Sequence, residues 1–179
     1  MAAGGDHRFP AWAAMATAAF MMSHQVGGKS IRDALFLQAF GPERLPVMVM
    51  AAAVVSVLLG VFGARLFSRF SPARAVPWSF AASGVLQLAE WRLVEANPLL
   101  GAVAVYLHMV AFGAVLLSSF WLLLSEQLDP IEAKKRIGRI AGAGTTGSVL
   151  GGLLAAQWRE LAGTGHEAAL LGALGGIHL

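Results

Sequence analysis

Long apolar runs alternate with short polar segments along the chain. Five runs approach or exceed the roughly 20 mainly apolar residues that a helix needs to cross about 30 Å of hydrocarbon. They cover residues 10–40, 45–67, 76–94, 98–128 and 138–158. A helix satisfies its own backbone hydrogen bonds in lipid, so the pattern predicts an all-α fold. We expect residues 1–179 to form one polytopic transmembrane helix bundle with five to six spans.

A sixth run, 168–179, is still apolar where the sequence stops. A helix that ends partway across a membrane leaves its last carbonyl groups unsatisfied in hydrocarbon. We therefore expect 168–179 to be a partial span and the chain to be truncated, with a C-terminal half or a second protomer missing.

Composition supports a membrane location. Apolar residues make up 57% of the chain and charged residues 13%, and the mean hydropathy is +0.67, which leaves too few charges to cover a soluble globule. The lipid bilayer is thus the expected first partner. Cysteine is absent, which excludes disulfides, thiolate metal sites and cysteine nucleophiles.

The basic residues indicate an orientation. With a cytoplasmic N-terminus, eight basic residues fall inside and three outside, in agreement with the positive-inside rule. The inside set is Arg8, Arg65, Arg69, Arg74, Lys134, Lys135, Arg136 and Arg139, and the outside set is Arg44, Arg92 and Arg159. The pI near 10.0 therefore reflects topology, and we expect no nucleic-acid polymer as partner. Abundant Ala, Gly and Arg suggest a GC-rich bacterial genome and hence the bacterial inner membrane.

The first run carries Lys29, Arg32 and Asp33 within one helical turn, called here the cationic turn. Charges at membrane depth are costly and usually mark the handling of a polar solute or an ion. We expect Asp33 to pair with Lys29 one turn back, leaving Arg32 as a net positive charge directed into the bundle. Gln25 lies on the same side of the helix and joins the predicted substrate-binding site.

An alternative interpretation ends the first helix at Gly27 and Gly28. The charges would then reach into water from the outer membrane interface. Against this, residues 34–40 resume an apolar pattern, and no turn residue occurs before Gly41 and Pro42.

Few other polar residues lie within the runs. Tyr106 and His108 fall well inside the fourth run and complete the predicted substrate-binding set. Glu90 stands beside Trp91 and Arg92, which predicts an interfacial position. His24 and His108 could titrate, or less plausibly bind haem, but no catalytic constellation or metal spacing is visible. We expect no enzyme activity, no cofactor and no metal.

Two local patterns concern helix ends and packing. Asp129, Pro130 and Glu132 stand at N-cap, N1 and N3 spacing, which predicts a short cytoplasmic helix between the fourth and fifth spans. In the fifth span, two glycine pairs are spaced four residues apart, which favours close helix packing over a functional hinge. They are Gly138 with Gly142 and Gly147 with Gly151.

Segments 106–113, 118–121 and 126–136 resemble the fourth helix and following loop of the nucleotide (ATP/ADP) translocases of plastids and intracellular bacteria. That family is related to the major facilitator superfamily. Its first helix carries an Arg-Asp-x-Lys-Asp pattern, which residues 29–33 resemble, with basic residues at both basic positions and Ser30 in place of the first acid. The resemblance covers the first four to five spans.

The resemblance implies the N-terminal half of a twelve-helix carrier, with Arg32 and Lys29 meeting phosphate oxygens in a central cavity. Val110 departs from the family, which has a glutamate four residues after the tyrosine. We therefore predict a secondary transporter of the major facilitator type for an anionic organic solute, with ATP and ADP exchange as one candidate reaction. The alternative is a non-transporting membrane anchor or sensor module of a larger protein.

Overall fold

The part of the chain that the structure describes folds into six α-helices. The computed structural model describes residues 10–128, 130–162 and 167–178, and these ranges contain no strand. The helices are α1 (Ala11–Phe40), α2 (Leu45–Arg69), α3 (Pro72–Ala96), α4 (Pro98–Gln127), α5 (Pro130–Ala162) and α6 (Glu167–His178), and a 3₁₀ turn, Pro42–Arg44, precedes α2. The predicted all-α class is confirmed.

Local sequence explains where the helices begin and end. Gly41 follows α1 with a φ of 73°, a left-handed backbone that glycine adopts without a Cβ clash. Proline opens α3, α4 and α5, where its missing N–H costs no intrahelical bond. At α4 the side chain of Asn97 also accepts a hydrogen bond from the N–H of Leu100 at 3.1 Å, which caps the first turn.

Helix α4 is the centre of the bundle. It packs against α1, α2 and α3, while α5 lies along the far side of α1. The short helix α6 contacts α3 and α1. Its Leu171 and Leu174 join Ile31, Val94 and Val105 in a buried cluster. Two interfaces of α4, one with α1 and one with α3, position the polar residues described below.

The α1–α5 interface depends on two glycines. A Cβ added at Gly147 would overlap backbone atoms of Ala19, and one added at Gly151 would overlap those of Ser23. Gly147 and Gly151 therefore let the two backbones touch, as their spacing predicts. The other predicted pair behaves differently, because a Cβ at Gly138 or Gly142 would meet nothing within 4 Å.

One prediction about helix boundaries is confirmed and one is wrong. Helix α1 continues through Gly27 and Gly28, which are buried, so the alternative in which it ends there is excluded. The expected short helix and fifth span are one helix from Pro130, because Gly138 introduces no break and a 3.2 Å contact joins Glu132 to Arg136 across one turn. The predicted N-cap, Asp129, lies outside the described residues, as does Arg8.

Two of the described segments are long and apolar enough to cross a membrane, Pro42–Arg65 and Pro98–Gln127. An apolar stretch of 18 residues is 11% buried in the first segment and 50% buried in the second. Charges interrupt the middle of α1, α5 is rich in glycine and threonine, and α6 has 12 residues. The expected count of five to six spans is thus not confirmed, although all six predicted runs form helices.

Candidate functional site

Arg32 occupies the interface between α1 and α4. Its guanidinium carbon lies 4.5 Å from the ring centroid of Tyr106, and the guanidinium forms a salt bridge to Asp33 at 2.7 Å. The Arg32 side chain is 14% exposed and that of Asp33 is 46% exposed. A cation over an aromatic face is attracted by the ring quadrupole, most strongly when water is excluded. Arg32 is therefore held in one orientation by a ring and a carboxylate.

The pairing within the cationic turn differs from the expectation. Asp33 pairs with Arg32, its neighbour in sequence, while Lys29 is exposed and forms no ion pair with any described residue. The planar guanidinium can lie on a ring and direct its N–H groups at a carboxylate, whereas a compact ammonium is strongly hydrated. The uncompensated charge of the turn is thus that of Lys29.

The same side of α1 makes two further contacts with α4. The Gln25 side-chain amide donates to the carbonyl of Gly113 at 3.2 Å. One turn beyond Arg32, the ring of Phe36 lies 5.1 Å from that of Tyr106. Gln25 thus faces α4 on the same side of α1 as Arg32, as the spacing predicts, and Phe36 extends this contact. Their binding roles remain predictions.

Val110 belongs to an apolar environment. It packs against a cluster that contains Phe36, Met48, Ala52 and Tyr106. The position that carries a glutamate in the nucleotide translocases therefore adds no charge beside Arg32. One partly exposed carboxylate, that of Asp33, accompanies two cations in this region.

The other predicted residue of α4, His108, lies in a second group on a different side of the helix. Its Nδ1 is 2.8 Å from a Glu90 carboxylate oxygen and its Nε2 is 3.0 Å from the Ser83 hydroxyl. Nearby, Nε2 of His24 is 3.0 Å from the side-chain oxygen of Gln87. We call these five residues the polar network. All five are buried between α1, α3 and α4.

Glu90 is the clearest error of the sequence interpretation. It is 3% exposed and bonded to His108, not interfacial. The burial of Glu90 could be predicted in part from the sequence. Ser83, Gln87 and Glu90 recur at helical spacing and so share one face of α3. Residue spacing within α3 or α4 does not predict which side of α4 this face contacts.

The order Ser83–His108–Glu90 matches the hydrogen-bond order of a serine-hydrolase triad. Its surroundings do not suit nucleophilic catalysis. Ser83 is buried in the middle of α3, where neighbouring backbone N–H groups are engaged within the helix and none is left to stabilise an oxyanion. The arrangement is suited to holding a proton between a carboxylate and an imidazole.

Clefts open on the surface between the described helices. One of about 260 Å³ lies between α2 and α4 and is lined in part by Ser56, Gly60 and Ser118. Two apolar clefts share Thr17 and Phe80 near the start of α1. The cationic turn lines none of these clefts. Among the described residues no three His, Asp or Glu side chains form a metal-ion site.

Comparisons of the chain with protein-family models, with curated proteins and with solved structures found no match. The resemblance of residues 29–33 and 106–136 to nucleotide translocases therefore stays a prediction.

Proposed function

We propose that this chain forms one half of a secondary transporter of the major facilitator type. It resides in the bacterial inner membrane with its N-terminus in the cytoplasm and carries an anionic organic solute by alternating access. A nucleotide is one candidate solute. The observation that carries the proposal is Arg32, a nearly buried guanidinium held over Tyr106 at the edge of an apolar bundle.

The charge balance of the cationic turn favours an anion as ligand. Lys29 and Arg32 contribute two positive charges and Asp33 one negative charge, which leaves one net positive charge. Guanidinium groups form short, charge-assisted hydrogen bonds with phosphate and carboxylate oxygens, and these strengthen as water is excluded. The exposed ammonium of Lys29 would attract the solute, and Arg32 would orient it.

In this proposal a second helical half completes the cavity. Lys29 is exposed and Asp33 is half exposed, so the turn forms one wall of a site rather than an enclosed pocket. Carriers built from two halves bind solute between them near the middle of the membrane. The second half is either a further part of the same polypeptide or another protomer.

Uptake into proteoliposomes tests the proposal. The purified protein would be reconstituted and offered labelled ATP, ADP, sugar phosphates and dicarboxylates. We expect saturable uptake of at least one of these anions, loss of that uptake in Arg32→Ala, and retention in Arg92→Ala, since Arg92 is 73% exposed and pairs with Glu95 on the surface. Absence of uptake for every anion, or normal uptake by Arg32→Ala, would refute the proposal.

A membrane anchor or sensor module is the second candidate. It is favoured by the finding that two described segments satisfy the length and hydropathy needed for a span. An anchor requires no solute site, so Arg32→Ala would leave its membrane insertion and its effect on an attached domain unchanged. The uptake assay separates these two functions.

A further inference from the structure

The polar network has no role in the anion site described above. Ser83, Gln87 and Glu90 approach α4 and α1 from α3, whereas Arg32 contacts Tyr106 on another side of α4. Ionisable groups buried inside membranes are uncommon and often lie on proton pathways. We propose that Glu90 and His108 form a proton-binding site that couples solute movement to protons. This inference rests on the proposed transport function.

The geometry favours one titratable proton shared by the pair. When imidazolium faces carboxylate, Nδ1–H donates to Glu90 and Nε2–H donates to Ser83, which fits the 2.8 and 3.0 Å distances. The pair is then neutral overall. Loss of the proton to water leaves a carboxylate beside a neutral imidazole, with one net negative charge. Because both side chains are buried, exchange of this proton with solvent requires water to reach the pair.

Few other ionisable groups face the pair. From α1 the nearest is His24, on the other side of Gln87. Helix α2 has no ionisable residue between Leu45 and Ala64. The described side chains of α6 that pack on α3 are apolar, for example Leu171 and Leu174. From α3, the Ser83 hydroxyl contacts the pair at His108, and the pair is buried, so water must enter the bundle to reach it.

Gln87 provides a separate sign that this site opens. Its side chain is 0% exposed, and its amide nitrogen has no hydrogen-bond partner among the described residues. A buried donor left without an acceptor is destabilising, and a water molecule beside it would remove that cost. Gln87 lies one turn from both Ser83 and Glu90, so water admitted there would also reach the pair.

Helix α1 links the proton site to the solute site. His24, which contacts Gln87, and Arg32, which contacts Tyr106, lie eight residues apart on one continuous helix. That spacing corresponds to about 12 Å along the helix axis. A movement of α1 on solute binding would therefore change the His24–Gln87 contact and the access of water to Glu90. Proton release and solute release would then occur in the same conformation.

Infrared difference spectroscopy of the reconstituted protein tests the proton site without any solute. Between acidic and alkaline buffer we expect a pH-dependent signal from Glu90 and His108 that disappears in Glu90→Gln. The matched control is Glu95→Gln, since Glu95 is half exposed and pairs with Arg92 on the surface. An unchanged difference spectrum in Glu90→Gln would overturn the proton-binding assignment.

Labelled ADP then tests coupling. Counterflow needs no net proton movement, whereas accumulation driven by a pH gradient does. We expect Glu90→Gln to retain counterflow. Under the pH gradient it should accumulate at least tenfold less labelled ADP than the unmodified protein. Equal accumulation by Glu90→Gln and the unmodified protein would overturn coupling while leaving the transport proposal intact. Failure of counterflow in the unmodified protein would instead count against nucleotide transport, and the proposed coupling would fail with it. The infrared signal would still decide whether Glu90 binds a proton.

Discussion

Arg32 and Lys29 are three residues apart, yet their surroundings differ. The guanidinium reaches the Tyr106 ring and the Asp33 carboxylate, and the ammonium is left exposed. Helical spacing predicted that both lie near the same side of α1. It could not predict which would be paired, because that depends on the aromatic ring that α4 places opposite.

Tyr106 provides a residue-scale prediction. Replacing it with leucine removes the ring beneath Arg32, and Tyr106→Phe keeps the ring. A cation–π contact contributes about 0.5–2 kcal/mol, so Tyr106→Leu should weaken anion binding by about two- to thirty-fold while Tyr106→Phe changes it little. Calorimetric titration of the purified protein with ATP measures both. Equal weakening in the two variants would show that the hydroxyl, not the ring, matters.

Glu90 and Glu95 allow a matched test of burial. Glu90→Ala leaves His108 without its buried partner, which typically costs about 3–5 kcal/mol. Glu95→Ala removes an exposed ion pair with Arg92 and should cost less than about 1 kcal/mol.

The free energy of unfolding in detergent, measured by chemical denaturation, distinguishes the two carboxylates. Similar values for the two alanine variants would mean that Glu90 is not buried against His108. That result would also restore the interfacial position that its neighbours Trp91 and Arg92 suggest.

At the scale of helices, the sequence predicted the presence of each helix well and its first and last residues less well. The continuous apolar runs located all six described helices, since such a run has few other ways to satisfy its backbone in a bundle. The sequence interpretation misjudged α5, because glycine at position 138 was read as a break and nothing local opposes helix there. Caps and prolines determine ends more reliably, as Asn97 shows at the start of α4.

The glycines of α5 give an element-scale prediction. Alanine at position 147 would force α5 away from the backbone of α1 at Ala19, and overpacking of this kind typically costs about 1–3 kcal/mol. Gly142 faces open space, so Gly142→Ala should be neutral or slightly stabilising through helix propensity. We expect Gly147→Ala to lower the midpoint of thermal unfolding in detergent and Gly142→Ala to leave it unchanged or raise it. The reverse order would contradict the α1–α5 contact.

For the whole molecule, the outer face of α2 is the most informative surface. Its apolar side chains are largely exposed along its length. They include Val47, Met50, Val54, Val57, Val61 and Phe62. A continuous apolar face of this length is uncommon on a soluble monomer and indicates lipid or a further helical unit. Composition predicted this membrane character, but neither the number of spans nor the partner of α2 follows from it.

Membrane fractionation tests this interpretation. We expect the protein to remain in the membrane pellet after alkaline carbonate washing and to be released only by detergent. Leu58→Asp places a charge on the outer face of α2, which a bilayer disfavours by a few kcal/mol, and should reduce the membrane-inserted fraction. Glu43→Asp, in the 3₁₀ turn before α2, is a control that should insert normally. Release of the unmodified protein by carbonate would contradict an integral membrane location.

The proposed transport mechanism requires the cationic turn to become accessible to solvent from each side of the membrane in turn. Site-directed thiol labelling tests this requirement most directly. Because the chain contains no cysteine, Lys29→Cys and Arg44→Cys each introduce a single thiol. A charged, membrane-impermeant maleimide would be applied to reconstituted vesicles of one orientation, either outside or trapped inside. The account predicts that Lys29→Cys reacts from both sides and that Arg44→Cys, in the turn before α2, reacts from one. Reaction of Lys29→Cys from one side only would contradict it.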